Sequence, residues 1–178
     1  KIARRELRGL VINVPPGSLK SVIISVCYSC WKWLPGNWPS SRGSSTSASD
    51  LVSMRDAEKC RVLMRSEKYQ QDVRLLAQMH EVEPWQFSDS QDTKENFENT
   101  QRGSRLAVTA GQRFTGARGS EIVIDDPIDV QDVINRPIDR IGELMNEINS
   151  WYDQKLWTRR NDLRTDPIML IMQRLHIR

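Results

Sequence analysis

Short apolar runs alternate along the chain with longer amphipathic or polar stretches. Leu10–Val14 is a short run, apolar except for Asn13 and bounded by turn residues, and predicts a fully buried strand. The next apolar stretch starts at Ser18 or Lys20 and predicts a helix to Leu34, where Pro35-Gly36-Asn37-Trp38-Pro39 stops it. Ser40–Ser49 is rich in Ser and Gly and reads as a loop or a poor strand. Asp50 is placed to cap an amphipathic helix to about Ser66, and Tyr69–His80 reads as a further helical piece. Phe87–Asn99 is polar and irregular. Arg105–Thr109, Glu121–Ile124 and Ile168–Met172 are strand candidates. Asn135 is placed to cap a helix with Arg136 and Pro137 in its first turn, running to about Arg159. Apolar strands alternating with helices predict an α/β fold, a mainly parallel sheet covered on both faces. Such sheets bind ligands at the carboxyl ends of their strands.

Three segments with chemistry follow apolar strands. Val14-Pro15-Pro16-Gly17-Ser18-Leu19-Lys20-Ser21 is a turn ending in Lys-Ser where a helix begins. Phosphates need positive charge and unhindered N–H donors, and a helix N-terminus supplies donors and a favourable dipole. The usual phosphate loop is G-x-x-x-x-G-K-[ST], and here Val14 and Leu19 occupy its glycine positions. In that reading Pro16, Gly17, Ser18 and Leu19 cradle the phosphates of ATP. Lys20 sits on the β- and γ-phosphates, and the Ser21 hydroxyl ligates Mg²⁺. A lysine in a helix's first turn is electrostatically disfavoured unless an anion is present.

Asp125-Asp126 ends the second strand candidate and precedes Pro127. The first carboxylate of such a pair holds Mg²⁺ and the second polarises the attacking water. The plainer reading is an Asx turn before proline. Gln173 follows the last strand, either to sense the γ-phosphate or to satisfy buried backbone groups. Arg118 and Arg113 lie in the glycine-bearing loop before Asp125. Each is a solvated loop residue or an arginine that reaches a neighbouring subunit's phosphate.

The 178 residues suit one domain, 1–178. Net charge is +3, which alone does not imply nucleic acid; arginine outnumbers lysine 19 to 7, and Arg suits bidentate phosphate contacts. No run approaches the ~20 apolar residues of a membrane span. Cys27 and Cys30 have C-x-x-C spacing, but no second pair accompanies them. Cys27, Cys30 and Cys60 are therefore expected as core-facing thiols of a reducing compartment. Trp31, Trp33 and Trp38 are expected to pack rather than to stack on bases.

Taken in order, these segments resemble a known family. Asn13-Val14-Pro15-Pro16-Gly17-Ser18-Leu19-Lys20-Ser21 resembles the deviant phosphate loop of large terminase subunits from tailed bacteriophages and prophages. Ser49-Asp50-Leu51, Ala57-Glu58-Lys59-Cys60-Arg61, Gly103-Ser104-Arg105-Leu106-Ala107, Thr115-Gly116-Ala117-Arg118-Gly119 and Ile124-Asp125-Asp126-Pro127 are similar to its later segments, in order and spacing. Trp151-Tyr152-Asp153 and Met172-Gln173-Arg174-Leu175-His176 extend the resemblance to about residue 176. The resemblance implies a three-layer P-loop NTPase of the RecA-like, additional-strand type. It implies ATP hydrolysis with Mg²⁺ that drives double-stranded DNA into a procapsid, in the bacterial host cytoplasm. It implies a ring of subunits on the portal protein, with a small terminase subunit as partner. Carried over, Lys20 and Ser21 meet phosphate and Mg²⁺, Asp125 holds Mg²⁺, and Asp126 is the catalytic carboxylate. Arg118 is then the arginine acting in trans, and Gln173 falls in the coupling motif. Related sequences often carry a basic residue where this chain has Gly17. The family's C-terminal nuclease has no counterpart in these residues, so no nuclease activity is expected of them. The alternatives are a nucleotide-binding or assembly remnant of a prophage terminase, and a helicase-like P-loop ATPase.

Overall fold

The apolar runs assemble into one seven-stranded sheet in a computed structural model that describes residues 1–109 and 118–173. In chain order the strands are β1 (Gly9–Asn13), β2 (Arg42–Ser47), β3 (Phe87–Asp92), β4 (Asn96–Asn99), β5 (Ser104–Thr109), β6 (Glu121–Asp125) and β7 (Ile168–Met172). Their order across the sheet is β1-β7-β6-β2-β5-β4-β3. The five strands from β1 to β5 run parallel, and β4 and β3 join antiparallel beyond β5. The protein is thus α/β with a mostly parallel mixed sheet.

Helix α1 spans residues 20–32. Its middle, Val22–Tyr28, is π-helical and its last turn, Ser29–Lys32, is α-helical. Next come α2 (Asp50–Arg65), α3 (Glu67–Met79), α4 (Val130–Asn135) and α5 (Ile141–Trp151). Helices cover both faces of the sheet. Ile122 and Ile124 of β6 pack with Ile168, Trp151 and Leu156 on one face. Val123 points the other way, with Met169, Ile171 and Ile2, towards Ile24 and Tyr28 of α1. A third cluster joins Val26, Cys30 and Trp33 of α1 to Cys60 and Met64 of α2, Tyr69 and Val73 of α3, Trp85 and Phe97. Fully burying each large apolar side chain contributes about 1.5–3 kcal/mol. Among the described residues no helix is long and apolar enough to cross a membrane.

Several local expectations need correction. β1 is a strand but not a buried one: it lies at the sheet's edge, and Val11 is 64% exposed. Of the two readings of the serine-rich stretch, loop or poor strand, the strand holds. It is β2, between β6 and β5, with Ser44, Ser45, Thr46 and Ser47 buried. Two parallel ladders secure its backbone, which compensates for its lack of apolar side chains. The polar stretch 87–99 pairs as an antiparallel hairpin, because Phe87 and Phe97 anchor it on Trp85 and Trp33. Asn135 ends α4 instead of opening a helix. Asp129 caps α4, accepting from the Gln131 N–H at 2.8 Å, and Pro137 forces the preceding residue out of the helical region. Helical turns resume at Ile138. Ser49, not Asp50, is the N-cap of α2. α3 starts earlier than expected, at Glu67, with the Ser66 hydroxyl accepting from the Tyr69 N–H.

α1 buries polar side chains beside its apolar ones. Ser25, Ser29 and Lys32 are buried, while Ile23, Cys27 and Trp31 are exposed. The wide π-helical turn puts Cys27 and Cys30 on different faces, so Cys27 is exposed and only Cys30 and Cys60 are buried. Trp33 packs as expected, but Trp31 is exposed. The inward polar face of α1 has partners on β6. Glu121, wholly buried, accepts from Lys32 Nζ at 2.8 Å and from the Tyr28 hydroxyl at 2.9 Å. At the other end of β6, Asp125 accepts from the Ser25 hydroxyl at 2.7 Å.

Candidate functional site

Parallel strands deliver their carboxyl ends to one edge of the sheet. Asn13 of β1 lies beside Met172 of β7, and Asp125 of β6 lies between Ile171 of β7 and Ser47 of β2. Main-chain bonds knit the turns that follow. The Val14 N–H donates to Met172 O, the Asp126 N–H to Ile171 O, and the Ala48 N–H to Asp126 O. β7 separates β1 from β6, so the turn after β1 faces the Asp125-Asp126 pair across the end of one intervening strand.

Residues 15–19 form an exposed turn with two left-handed positions. Gly17 has φ 77° and Leu19 has φ 58°. A left-handed glycine is ordinary, but for a bulky side chain that conformation is an outlier. Leu19 stands where the usual phosphate loop has its second glycine. Its backbone takes the glycine-like conformation regardless, and its side chain is 66% exposed. Left-handed residues alternating with right-handed ones can turn successive N–H groups towards an anion, and this turn stands at the head of α1.

Lys20 Nζ forms an ion pair with Asp126 Oδ2, both side chains partly buried. The other oxygen of Asp126 accepts from the Gln173 N–H at 3.0 Å. Asp126 itself adopts φ 43°, a conformation that Asp tolerates better than most residues. Asp125 is buried, and burial pushes its carboxyl above the usual carboxylate range. Hydrogen bonds from the Ser25 and Ser21 hydroxyls oppose that rise. Asp125 Oδ1 is buried and has no hydrogen-bond partner among the described residues. Beside Asp126 opens a cleft of about 170 Å³, lined by Ser47, Ser49, Val52, Asp129 and Gln173 among others.

The chain matches no protein-family model and no curated protein. Its chemistry therefore rests on this geometry.

Lys20, Ser21, Asp125, Asp126 and Gln173 converge, as the strand pattern anticipates. Arg118 does not join them. It is exposed, next to Gly119, which bridges to Arg160 near the start of β6. Asp125 and Asp126 lie at the other end of that strand. Arg113 and Arg174 lie outside the described residues.

Two residues around Asp125 have no assigned role in the sequence reading, Ser25 and Arg105. A signal for Ser25 exists: Ser21, Ser25 and Ser29 recur every four residues in an otherwise apolar helix. Arg105 lies in the Gly103–Ala107 segment that carries the family resemblance, but nothing in that segment directs it to Asp125.

The donor set suits a hard divalent cation. Among the described residues no group of three or more His, Cys, Asp or Glu forms a metal cage. A hydroxyl, Ser21, and a carboxylate with an unpartnered oxygen, Asp125, stand together instead. Mg²⁺ favours such sparse oxygen sets, completing its octahedron with water and substrate phosphate.

Proposed function

We propose that this chain is a Mg²⁺-dependent ATPase of the P-loop type, the ATP-hydrolysing part of a motor that drives double-stranded DNA into a viral procapsid. One observation carries the enzymatic reading: the Lys20-Ser21 turn at the head of α1 faces the Asp125-Asp126 pair. The single strand between β1 and β6 supports the RecA-like, additional-strand assignment within the three-layer α/β class. The order of motifs supports the terminase reading. With it come the partners: double-stranded DNA, the portal protein, a small terminase subunit and a homo-oligomeric ring in the bacterial host cytoplasm, transiently on the procapsid.

In this mechanism the N–H groups of Gly17–Lys20 and the dipole of α1 hold the phosphates of ATP. Lys20 exchanges its Asp126 partner for the β- and γ-phosphates. Ser21 and Asp125 would hold Mg²⁺, which when bound would supply charge neutralisation at the phosphate oxygens. Asp126, released from Lys20 and still oriented by the Gln173 N–H, accepts a hydrogen bond from the attacking water. Arg118 lies too far along β6 to serve its own site. Its role is to reach the γ-phosphate of an adjacent subunit, which a head-to-tail ring interface permits.

One observation favours a second reading, nucleotide binding without turnover: Asp126 is engaged twice, by Lys20 and by the Gln173 N–H. Steady-state ATP hydrolysis by the wild type and K20A, each alone and assembled with portal and DNA, separates the two. Weak turnover alone, stimulation on assembly and loss in K20A support the motor. Tight nucleotide binding with no turnover in any state supports the second reading.

A further inference from the structure

Behind Asp125 lies a small polar cavity of about 10 Å³. Among the described residues, three buried atoms on the face of the sheet that lines it have no hydrogen-bond partner: Asp125 Oδ1, Arg105 Nε and Ser45 Oγ. Leaving a buried donor or acceptor unmatched is costly. Their chemistry is complementary. Arg105 Nε only donates, an ionised Asp125 only accepts, and the Ser45 hydroxyl does either. A cavity of this size holds about one water, and a buried water needs two to four polar partners.

Arg105 also touches the same site by a second route. It is buried on β5, and among the described residues no carboxylate forms an ion pair with it. Instead its Nη2 donates to the backbone carbonyl of Ser25 at 2.8 Å, and its Nη1 to the Ser29 hydroxyl at 2.9 Å. The Ser25 carbonyl lies in the π-helical stretch and also accepts from Cys60 Sγ at 3.2 Å. Ser25 therefore gives its hydroxyl to Asp125 and its carbonyl to Arg105.

We propose that Arg105 is a positioning residue for Asp125, fixing one carboxylate oxygen through Ser25 and the other through a single water held in the cavity. The proposal rests on the reading of Asp125 as the Mg²⁺-holding carboxylate. A guanidinium suits the task because its rigid fork serves Ser25, Ser29 and the cavity at once; a lysine has one nitrogen to offer.

The test compares wild type, R105Q and R105K by calorimetry of ADP binding, in MgCl₂ and in EDTA, beside crystal structures of wild type and R105Q. Expected are ADP affinities equal to wild type in EDTA, and a Mg²⁺ requirement raised about 10- to 100-fold in both variants, the usual cost of losing a group behind a metal ligand. The wild-type crystal should hold one water between Arg105 Nε and Asp125 Oδ1, and R105Q should lose the Ser25–Asp125 hydrogen bond. A Mg²⁺ requirement in R105K equal to wild type would overturn the proposal, because charge alone would then suffice. Equal losses in EDTA and in MgCl₂ would overturn it too, marking a purely structural role. If wild type binds no nucleotide, the ATPase reading fails, and the crystals still decide: an unchanged Asp125 in R105Q overturns the positioning role.

Discussion

Lys20 and Asp126 hold each other across 106 residues of chain. The pair ties the phosphate turn to the carboxylate turn before any anion is bound. In the proposed mechanism incoming phosphates must win Lys20 from Asp126, and that exchange frees the carboxylate for water. K20A is expected to lose at least about 10²-fold in ATP turnover and to weaken ATP binding, since it removes a cation aimed at developing phosphate charge. D126N should keep nucleotide binding while losing turnover to a similar degree. Calorimetry with a phosphate-release assay reads both. D126N turning over at the wild-type rate would remove Asp126 from catalysis.

Leu19 gives a second test. A left-handed conformation costs a non-glycine residue about 1–2 kcal/mol. Glycine removes that strain but adds about 0.5–1 kcal/mol of chain entropy to the cost of folding. L19G is therefore expected to stabilise the protein by up to about 1 kcal/mol in urea unfolding. Little packing is lost, because the side chain is exposed. L19A, which keeps a Cβ, should give no such gain.

Asp125 makes stability depend on pH. Burial raises its carboxyl above the unfolded value. The folded state then binds the proton more tightly than the unfolded state. Its contribution to stability is fully present below the unfolded pKa and is lost as pH rises through the folded pKa. D125N, which never ionises, should gain in Tm relative to wild type as pH is raised from about 4. A Tm difference that stays flat with pH would contradict the burial effect.

The buried Lys32–Glu121 pair lies beneath the site and holds the far end of α1 to the start of β6. Breaking such a pair by removing one partner costs about 3–5 kcal/mol, because the other charge is left buried and alone. E121Q and K32M should each destabilise by that order. The double variant should recover part of the loss, giving a strongly non-additive cycle in urea unfolding.

Thiol reactivity checks the turn of α1 directly. Cys27 is exposed while Cys30 and Cys60 are buried. Native protein should take up one equivalent of maleimide quickly, and all three cysteines should react only in denaturant. Fast labelling of two or more in the native state would contradict the π-helical phase of α1.

The strands that proved readable were the apolar ones. β6 and β7 present Ile, Val and Met without interruption, and a doubly covered parallel strand demands that. β1 has the same pattern but sits at the edge, and no local rule separates an edge strand from a central one. β2 was half legible, as a loop or a poor strand, for the opposite reason. Its buried serines belong to a polar layer beside Asp125 and Arg105, a tertiary requirement that hydrophobicity cannot register. The site was legible in its lysine, hydroxyl and paired carboxylates, because each ends or follows a recognisable element. Ser25 and Arg105 act from the interiors of a helix and a strand, and only folding brings them to Asp125.

Among the described residues β1 is bonded to the sheet on one side only, through β7. The turn proposed to grip phosphate therefore hangs from the least anchored of the parallel strands around the site. Amides of β1 that face the open edge should open and exchange with solvent well before those of β6. Ligand capture by the turn then reaches the rest of the molecule first as a tightening of this rim, which makes deuterium uptake in Gly9–Asn13 an internal gauge of occupancy.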